Sequence, residues 1–263
     1  MATPKYTSKL SNTSILVIGG TSGLGFGLAE ALIEHHVSHL YISSSRQQKV
    51  DESISRLKSS YPDSKTKILG WACNLGDEAT LESNIKDLFR RIGRKLDHVV
   101  FTAGDPLAAK PLQEVDLAFM KQAGMVRFFA PFFVAKEAVK HMNPSLSSSI
   151  TITTGSVSEK PLPDWTVVGS YASGLHGMVR GLALDVKPVR VNLISPGGVK
   201  TELWENSLGS EEKVAAALEH IQSKTLTGRV GRVEDVVESY LYVLKDQNIT
   251  GTVVRSDGGA FLV

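Results

Sequence analysis

Residues 14–25 read Ser14-Ile15-Leu16-Val17-Ile18-Gly19-Gly20-Thr21-Ser22-Gly23-Leu24-Gly25. A short apolar run rich in β-branched residues stops at two glycines, which is the pattern of a buried parallel strand entering a tight turn. After the turn, Leu24, Leu28, Leu32 and Ile33 recur at helical spacing, and Leu40-Tyr41-Ile42 then opens a second apolar run that ends in Ser43-Ser44-Ser45. Strand, turn, helix and strand thus follow within about 30 residues, the size of one βαβ unit. Gly19, Gly23 and Gly25 stand where the turn is tightest and where backbone must come close to a pyrophosphate. Thr21, Ser22 and Leu24 complete a loop whose helix start turns unpaired N–H groups toward an anion. Residues 19–25 are therefore expected to cradle a dinucleotide.

The alternation continues outward. A polar helix is expected around 53–59, a strand at 67–72, a helix at 79–91 and a strand at 98–102, with helix and strand pairs repeating to the end. Strands that alternate with helices argue a doubly wound, Rossmann-like α/β fold, a parallel sheet with helices on both faces. Neither a repeat period nor a linker interrupts it. Residues 145–149 are Ser-rich, but five residues before the strand Ile150-Thr151-Ile152 make a loop rather than a boundary. The expected organisation is one domain over 11–263 behind a flexible N-terminal segment, 1–10.

Composition bounds the function. The chain has 263 residues, with 29 Lys and Arg against 27 Asp and Glu, and these charges are interspersed. Neither nucleic acid nor an anionic membrane is expected as a partner, because no basic block offers the electrostatic footprint. Cys73 is the single cysteine, so no intrachain disulfide and no thiolate metal cluster is available. A reducing, cytoplasmic location is expected, and no metal.

The end of the second strand bears on the choice of dinucleotide. An acidic residue that would bind a ribose 2′-hydroxyl is missing there, and Ser44, Ser45 and Arg46 stand in its place. Hydroxyl donors and a guanidinium suit a 2′-phosphate, which favours NADP(H).

With glycines spaced in this way, the chain resembles the short-chain dehydrogenase/reductase family from about residue 10 to residue 263. Further motifs carry the resemblance. Ala72-Cys73-Asn74-Leu75 is similar to the family's adenine-contacting strand end, and Leu96-Asp97-His98-Val99-Val100-Phe101-Thr102-Ala103-Gly104 to its fourth strand. Arg190-Val191-Asn192 with Ser195-Pro196-Gly197, Val199 and Thr201 is similar to the sixth strand and the loop that binds the nicotinamide carboxamide. Thr250-Gly251-Thr252 with Asp257-Gly258-Gly259 is similar to the C-terminal strand. The resemblance implies that Asn74, Leu75, Ala103, Gly104, Pro196, Gly197, Val199 and Thr201 join the glycine turn in holding the cofactor. It also implies a small-molecule substrate.

The family's Asn, Ser, Tyr and Lys tetrad has no evident counterpart. An ungapped match through Gly177, Met178, Val179 and Arg180 puts Val168 at the Tyr position, Ala172 at the Lys position, Gly155 at the Ser position and Arg127 at the Asn position. Tyr171 suggests another register, but Leu175 would then stand for the Lys, so neither frame supplies the cation; Tyr171 is expected to pack instead. The set Asp105, Arg127 and Pro161-Leu162-Pro163-Asp164-Trp165 resembles the atypical fungal members of the malbrancheamide and paraherquamide reductase/Diels–Alderase type. That resemblance implies catalytic roles for Arg127, Trp165, Asp105 and Asp164, although Leu162 occupies the motif's acidic position.

Three activities stay open at this point. A reductase acting on an iminium needs no proton donor, because the acceptor becomes neutral on taking hydride, whereas a carbonyl needs an acid. A non-redox cyclase would use the cofactor-lined pocket as a template, and a binding protein would only sense NADP(H). The helix with Leu175, Met178, Val179, Leu182 and Ala183, alongside Ser173, Gly174, Gly177 and Gly181, is expected to pair with its copy in a homodimer or homotetramer.

Overall fold

The computed structural model describes residues 5–107, 109–203 and 210–263. Seven parallel strands form one sheet in the order β3-β2-β1-β4-β5-β6-β7. The strands are β1 (Ser14–Ile18), β2 (His39–Ser44), β3 (Lys67–Ala72), β4 (His98–Phe101), β5 (Ser149–Thr153), β6 (Arg190–Pro196) and β7 (Val253–Ser256). The helices are α1 (Gly23–Glu34), α2 (Gln47–Ser60), α3 (Leu81–Ile92), α4 (Leu117–Gly124), α5 (Ala130–Ala138), α6 (Thr166–Asp185), α7 (Glu211–Ser223) and α8 (Val233–Lys245). The strand order reverses between β1 and β4, which opens a crevice at the strands' C-terminal ends.

Both faces of the sheet are covered, so its inner strands are buried along their length rather than at alternate positions. Within β1, Leu16 and Ile18 join the core beneath α3, α5 and α6, while Ile15 and Val17 join the one beneath α1, α2 and α8. Leu10, the last residue of the expected N-terminal segment, is fully buried in the second core. Buried Arg190 ties β6 to the end of α8, donating to the carbonyls of Val243 (2.8 Å), Leu244 (3.1 Å) and Asp246 (2.7 Å). A guanidinium there satisfies carbonyls that a helix C-terminus leaves unpaired.

Boundaries differ from expectation in two places. The polar helix begins at Gln47 rather than 53, because only Val50, Ser53 and Leu57 of its sequence are buried and its first turn carries no apolar signal. Between α4 and α5, Met125–Phe129 forms a π-helical turn that no hydrophobic period announces. Such turns widen a helix locally, and this one carries Arg127. Among the described residues, no helix is long and apolar enough to cross a membrane.

Candidate active site

A cavity of about 990 Å³ runs along the C-terminal ends of β1, β2, β4, β5 and β6. One end is built by the glycine turn. Gly19 has φ +90°, and a Cβ there would lie 2.5 Å from the Ala103 amide nitrogen; at Gly25 a Cβ would lie 2.2 Å from the Gly19 carbonyl oxygen. Both positions are restricted to glycine by this close approach, which draws the turn onto the end of β4. The Gly19 amide donates to the Ser43 carbonyl at 2.8 Å, and the Gly23 amide at the start of α1 donates to the Glu202 carboxylate at 3.0 Å. The helix start thus holds an anionic group, as its exposed N–H groups favour.

The structure brings most of the expected cofactor set onto this one wall. Gly19, Thr21, Ser22, Gly23, Leu24, Gly25, Ser44 and Ser45 line it at the turn, with Asn74, Leu75, Ala103 and Gly104 beside them. Pro196, Gly197, Val199 and Thr201 line it from the loop after β6. Arg46 is the exception: it is exposed at the N-cap of α2 and lies outside the lining, while Lys49, one turn further on, stands in the wall.

Beside the end of β4, Arg127 reaches from the π-helical turn to the segment that follows the strand. Its Nε lies 2.9 Å from Asp105 Oδ1, with an alignment that makes the contact ionic rather than a directed hydrogen bond. An Nη of the same guanidinium donates to the Asp105 carbonyl, and a Cβ on Gly104 would sit 3.1 Å from Nη2. The guanidinium therefore packs on the Gly104 backbone. Burial pushes the Asp105 carboxyl above its ordinary range and is opposed by Arg127; burial likewise lowers Arg127 and is opposed by Asp105. The ion pair thus offsets part of the cost of burying both groups.

Gly155, Val168 and Ala172 all line the same cavity, as does Leu175. Tyr171 does not. Its ring packs at 5.1 Å from Phe128 and 5.9 Å from Phe129, and its hydroxyl donates to the Met120 carbonyl at 3.1 Å. Trp165 and Leu162 are in the wall, whereas Asp164 is exposed outside it, at φ +64°, with its carbonyl accepting from the Lys110 amide at 2.9 Å. The left-handed turn at Asp164 separates it from the two neighbours that face the cavity, so the expected acid is not brought to the site.

Sequence reasoning missed several lining groups: Lys49, Lys160, His220 and Lys224, and the tail residues Ala260, Phe261 and Val263. Lys49 alone had a local signal, its position one helical turn after Arg46. The others reach the cavity from elements distant in sequence. Among the described residues there is no cluster of His, Cys, Asp or Glu able to hold a metal ion.

Comparison with known proteins agrees with this geometry. Residues 6–263 match the model of an SDR-like Rossmann domain. The short-chain dehydrogenase/reductase fsr5 of Gibberella fujikuroi is 47% identical over 262 residues, covering 98% of both chains. The short-chain dehydrogenase/reductase malC of Malbranchea aurantiaca is 39% identical over 257 residues, 96% of both. The solved structure of MalC Reductase/Diels-Alderase superposes with a TM-score of 0.91 over 98% of this chain and 99% of that one. A small-chain dehydrogenase solved in complex with NADPH gives 0.76 at 26% identity, over 96% of this chain and 100% of that one. A glycine turn at the sheet's switch point, matched over nearly the whole length by such relatives, makes the chain a member of the short-chain dehydrogenase/reductase family.

Proposed function

We propose that this chain is an NADP(H)-dependent oxidoreductase with a non-standard site, reducing a carbonyl or iminium intermediate of fungal secondary metabolism. The observation that carries it is the contrast between the two ends of one cavity. The dinucleotide end carries most of the expected cofactor residues, while the ungapped match to the family puts Gly155, Val168 and Ala172, none of which titrates, at its Ser, Tyr and Lys positions. The cofactor fits this chain: the glycine-restricted turn leaves room for backbone to approach a pyrophosphate, and the start of α1 already receives a carboxylate. Residues 19–25 would hold the pyrophosphate, Asn74 and Leu75 the adenine side, and Pro196, Gly197, Val199 and Thr201 the nicotinamide side. Ser44, Ser45 and Lys49, with Arg46 beside them, would receive the 2′-phosphate. When bound, NADPH supplies a hydride.

This chain's residues supply position and charge. Arg127, fixed on Gly104 and paired to Asp105, places a cation where negative charge develops on an acceptor oxygen. Trp165 walls the acceptor with its ring. Asp164 leaves the catalytic set, and Arg127, Asp105 and Trp165 remain.

The test is a titration with NADPH and NADH followed by turnover with product analysis. NADPH consumed as product forms supports the reading. Product without cofactor oxidation supports a non-redox cyclase, a second reading favoured by the similarity to a protein described as both reductase and Diels-Alderase. Cofactor bound with no substrate turned over means a binding protein. NADH binding equal to or tighter than NADPH overturns the cofactor preference. Lys49→Ala and Arg46→Ala are expected to weaken NADPH by about 1–3 kcal/mol each, the scale of a charge-assisted hydrogen bond, and to leave NADH unchanged.

A further inference from the structure

The last residues of the chain are part of the cavity. Ala260, Phe261 and Val263 line it, as do Val157, Lys160, Leu162 and Trp165 of the segment after β5. They are held from two sides. Lys160 Nζ donates to the Ala260 carbonyl at 2.7 Å and to the Val263 oxygen. Next to it, Glu159 takes both Nε (3.0 Å) and Nη2 of Arg255, whose guanidinium lies 5.3 Å from the Phe261 ring centroid. From the other side, the Gly258 carbonyl accepts the amides of Leu226 (2.9 Å) and Thr227 (3.2 Å). Residues 258–263 thus form a strap pinned by the segment after β5 and by the segment after α7.

Charge narrows what this end can receive. Asp105 and Glu202 are the acids among the described lining residues. The first is paired with Arg127 and the second accepts from the Gly23 amide. Lys160 and Lys224 add positive charge at the strap end. Among the described residues, a cationic acceptor at the strap would meet no uncommitted carboxylate, because Asp105 is paired with Arg127 and Glu202 sits at the glycine turn against the Gly23 amide, and desolvating a cation without a partner is costly. The apolar and aromatic walls suit a flat ring system.

Resting on the reductase reading, we propose that the strap 260–263, staked by Lys160, selects neutral, flat, ring-bearing carbonyl substrates, with Phe261 as the specificity-determining contact and Lys160 as a positioning residue. The test uses NADPH with two carbonyl probes, 9,10-phenanthrenequinone and diacetyl, on the wild type, Phe261→Ala, Lys160→Met and Lys160→Arg. Phe261→Ala is expected to raise KM for the quinone about tenfold, the scale of a lost apolar contact in a binding pocket, with kcat little changed. Diacetyl KM and the NADPH dissociation constant stay as in the wild type. Lys160→Met moves the quinone KM in the same direction, and Lys160→Arg restores it. Equal shifts for both probes, no shift for either, or NADPH affinity falling in parallel would overturn the proposal. If the wild type binds NADPH but oxidises none with either probe, the reductase reading fails separately. The strap is then judged by the quinone's dissociation constant, read from quenching of tryptophan fluorescence. Weaker binding in Phe261→Ala upholds it; an unchanged constant, or no quenching in the wild type, overturns it.

Discussion

Arg127 and Tyr171 lie on packed neighbouring segments, yet only Arg127 reaches the cavity, and that difference decides what each contributes to chemistry. Arg127 is a preorganised cation on the wall, so Arg127→Ala is expected to lower turnover by on the order of 10²–10³, as removal of a fixed electrostatic stabiliser does. Tyr171 spends its hydroxyl on the Met120 carbonyl, and Tyr171→Phe should keep most activity. The check is parallel kinetics with NADPH binding measured separately, since loss of cofactor mimics loss of chemistry. A silent Tyr171→Phe enzyme that still binds NADPH would refute the assignment. Glu202 offers a second residue-level prediction. Its carboxylate takes the Gly23 amide, a donor that a cofactor phosphate would also need under the proposed reading, so the two anions are expected to compete for it. Glu202→Gln removes the repulsion and should tighten NADPH binding about fivefold, near 1 kcal/mol, the worth of one hydrogen bond. Unchanged or weaker binding in a fluorescence titration would show that the carboxylate does not compete.

At the scale of elements, the pairing of β4 with β5 carries a buried titratable group. His98 and Ser149 stand in register, with His98 Nδ1 2.8 Å from Ser149 Oγ, and burial pushes the imidazole down to about 3, with Arg190 adding to the shift and Asp97 opposing it. The native state keeps His98 neutral while the unfolded chain protonates it below its ordinary value. This stability is therefore present above about pH 6.5 and is lost as pH falls toward 3, at up to about 1.4 kcal/mol per pH unit. Melting temperatures measured from pH 7 to pH 4 should fall, and His98→Gln, which can still bond Ser149, should flatten that slope. An identical slope in both proteins would place the acid sensitivity elsewhere. The same scale shows why the sheet was readable and parts of the site were not. The inner strands β1, β2, β4, β5 and β6 are short runs buried on both faces, so their signal is local. The π-helical turn at Arg127 and the left-handed turn at Asp164 are set by packing between elements, which periodicity and spacing do not encode. Hence Arg127 was placed by family resemblance, and Asp164 was expected at a wall that Leu162 and Trp165 occupy. Lys160 meets Ala260 and Val263 only because β5 and β7 both flank β6.

For the whole molecule, the remaining question is what covers the outer face of α6. The apolar residues expected to serve a partner are largely committed to the protein's own core: Leu175, Val179 and Leu182 are buried beneath the helix. What faces outward is Ser173, Gly177, Arg180, Gly181 and Leu184, and a Cβ on Gly177 or Gly181 would meet nothing within 4 Å. Small residues along one exposed stripe let a second helix approach closely, and Leu184 at 75% exposure adds apolar surface to it. A two-fold axis through that stripe would bury both copies at once, as an isologous contact requires. The chain is expected to be a dimer or tetramer, so light scattering at micromolar concentration should give two or four times 28.4 kDa. Gly181→Arg tests the surface itself. The open space around Gly181 lets the folded protomer accept the side chain, while a second guanidinium facing its own copy across the axis sets like charges together at a cost of several kcal/mol. A lower mass with an unchanged circular dichroism spectrum would place the contact on α6. A monomeric wild type would remove the pairing altogether, and a Gly181→Arg protein that keeps the full mass would move it to another face.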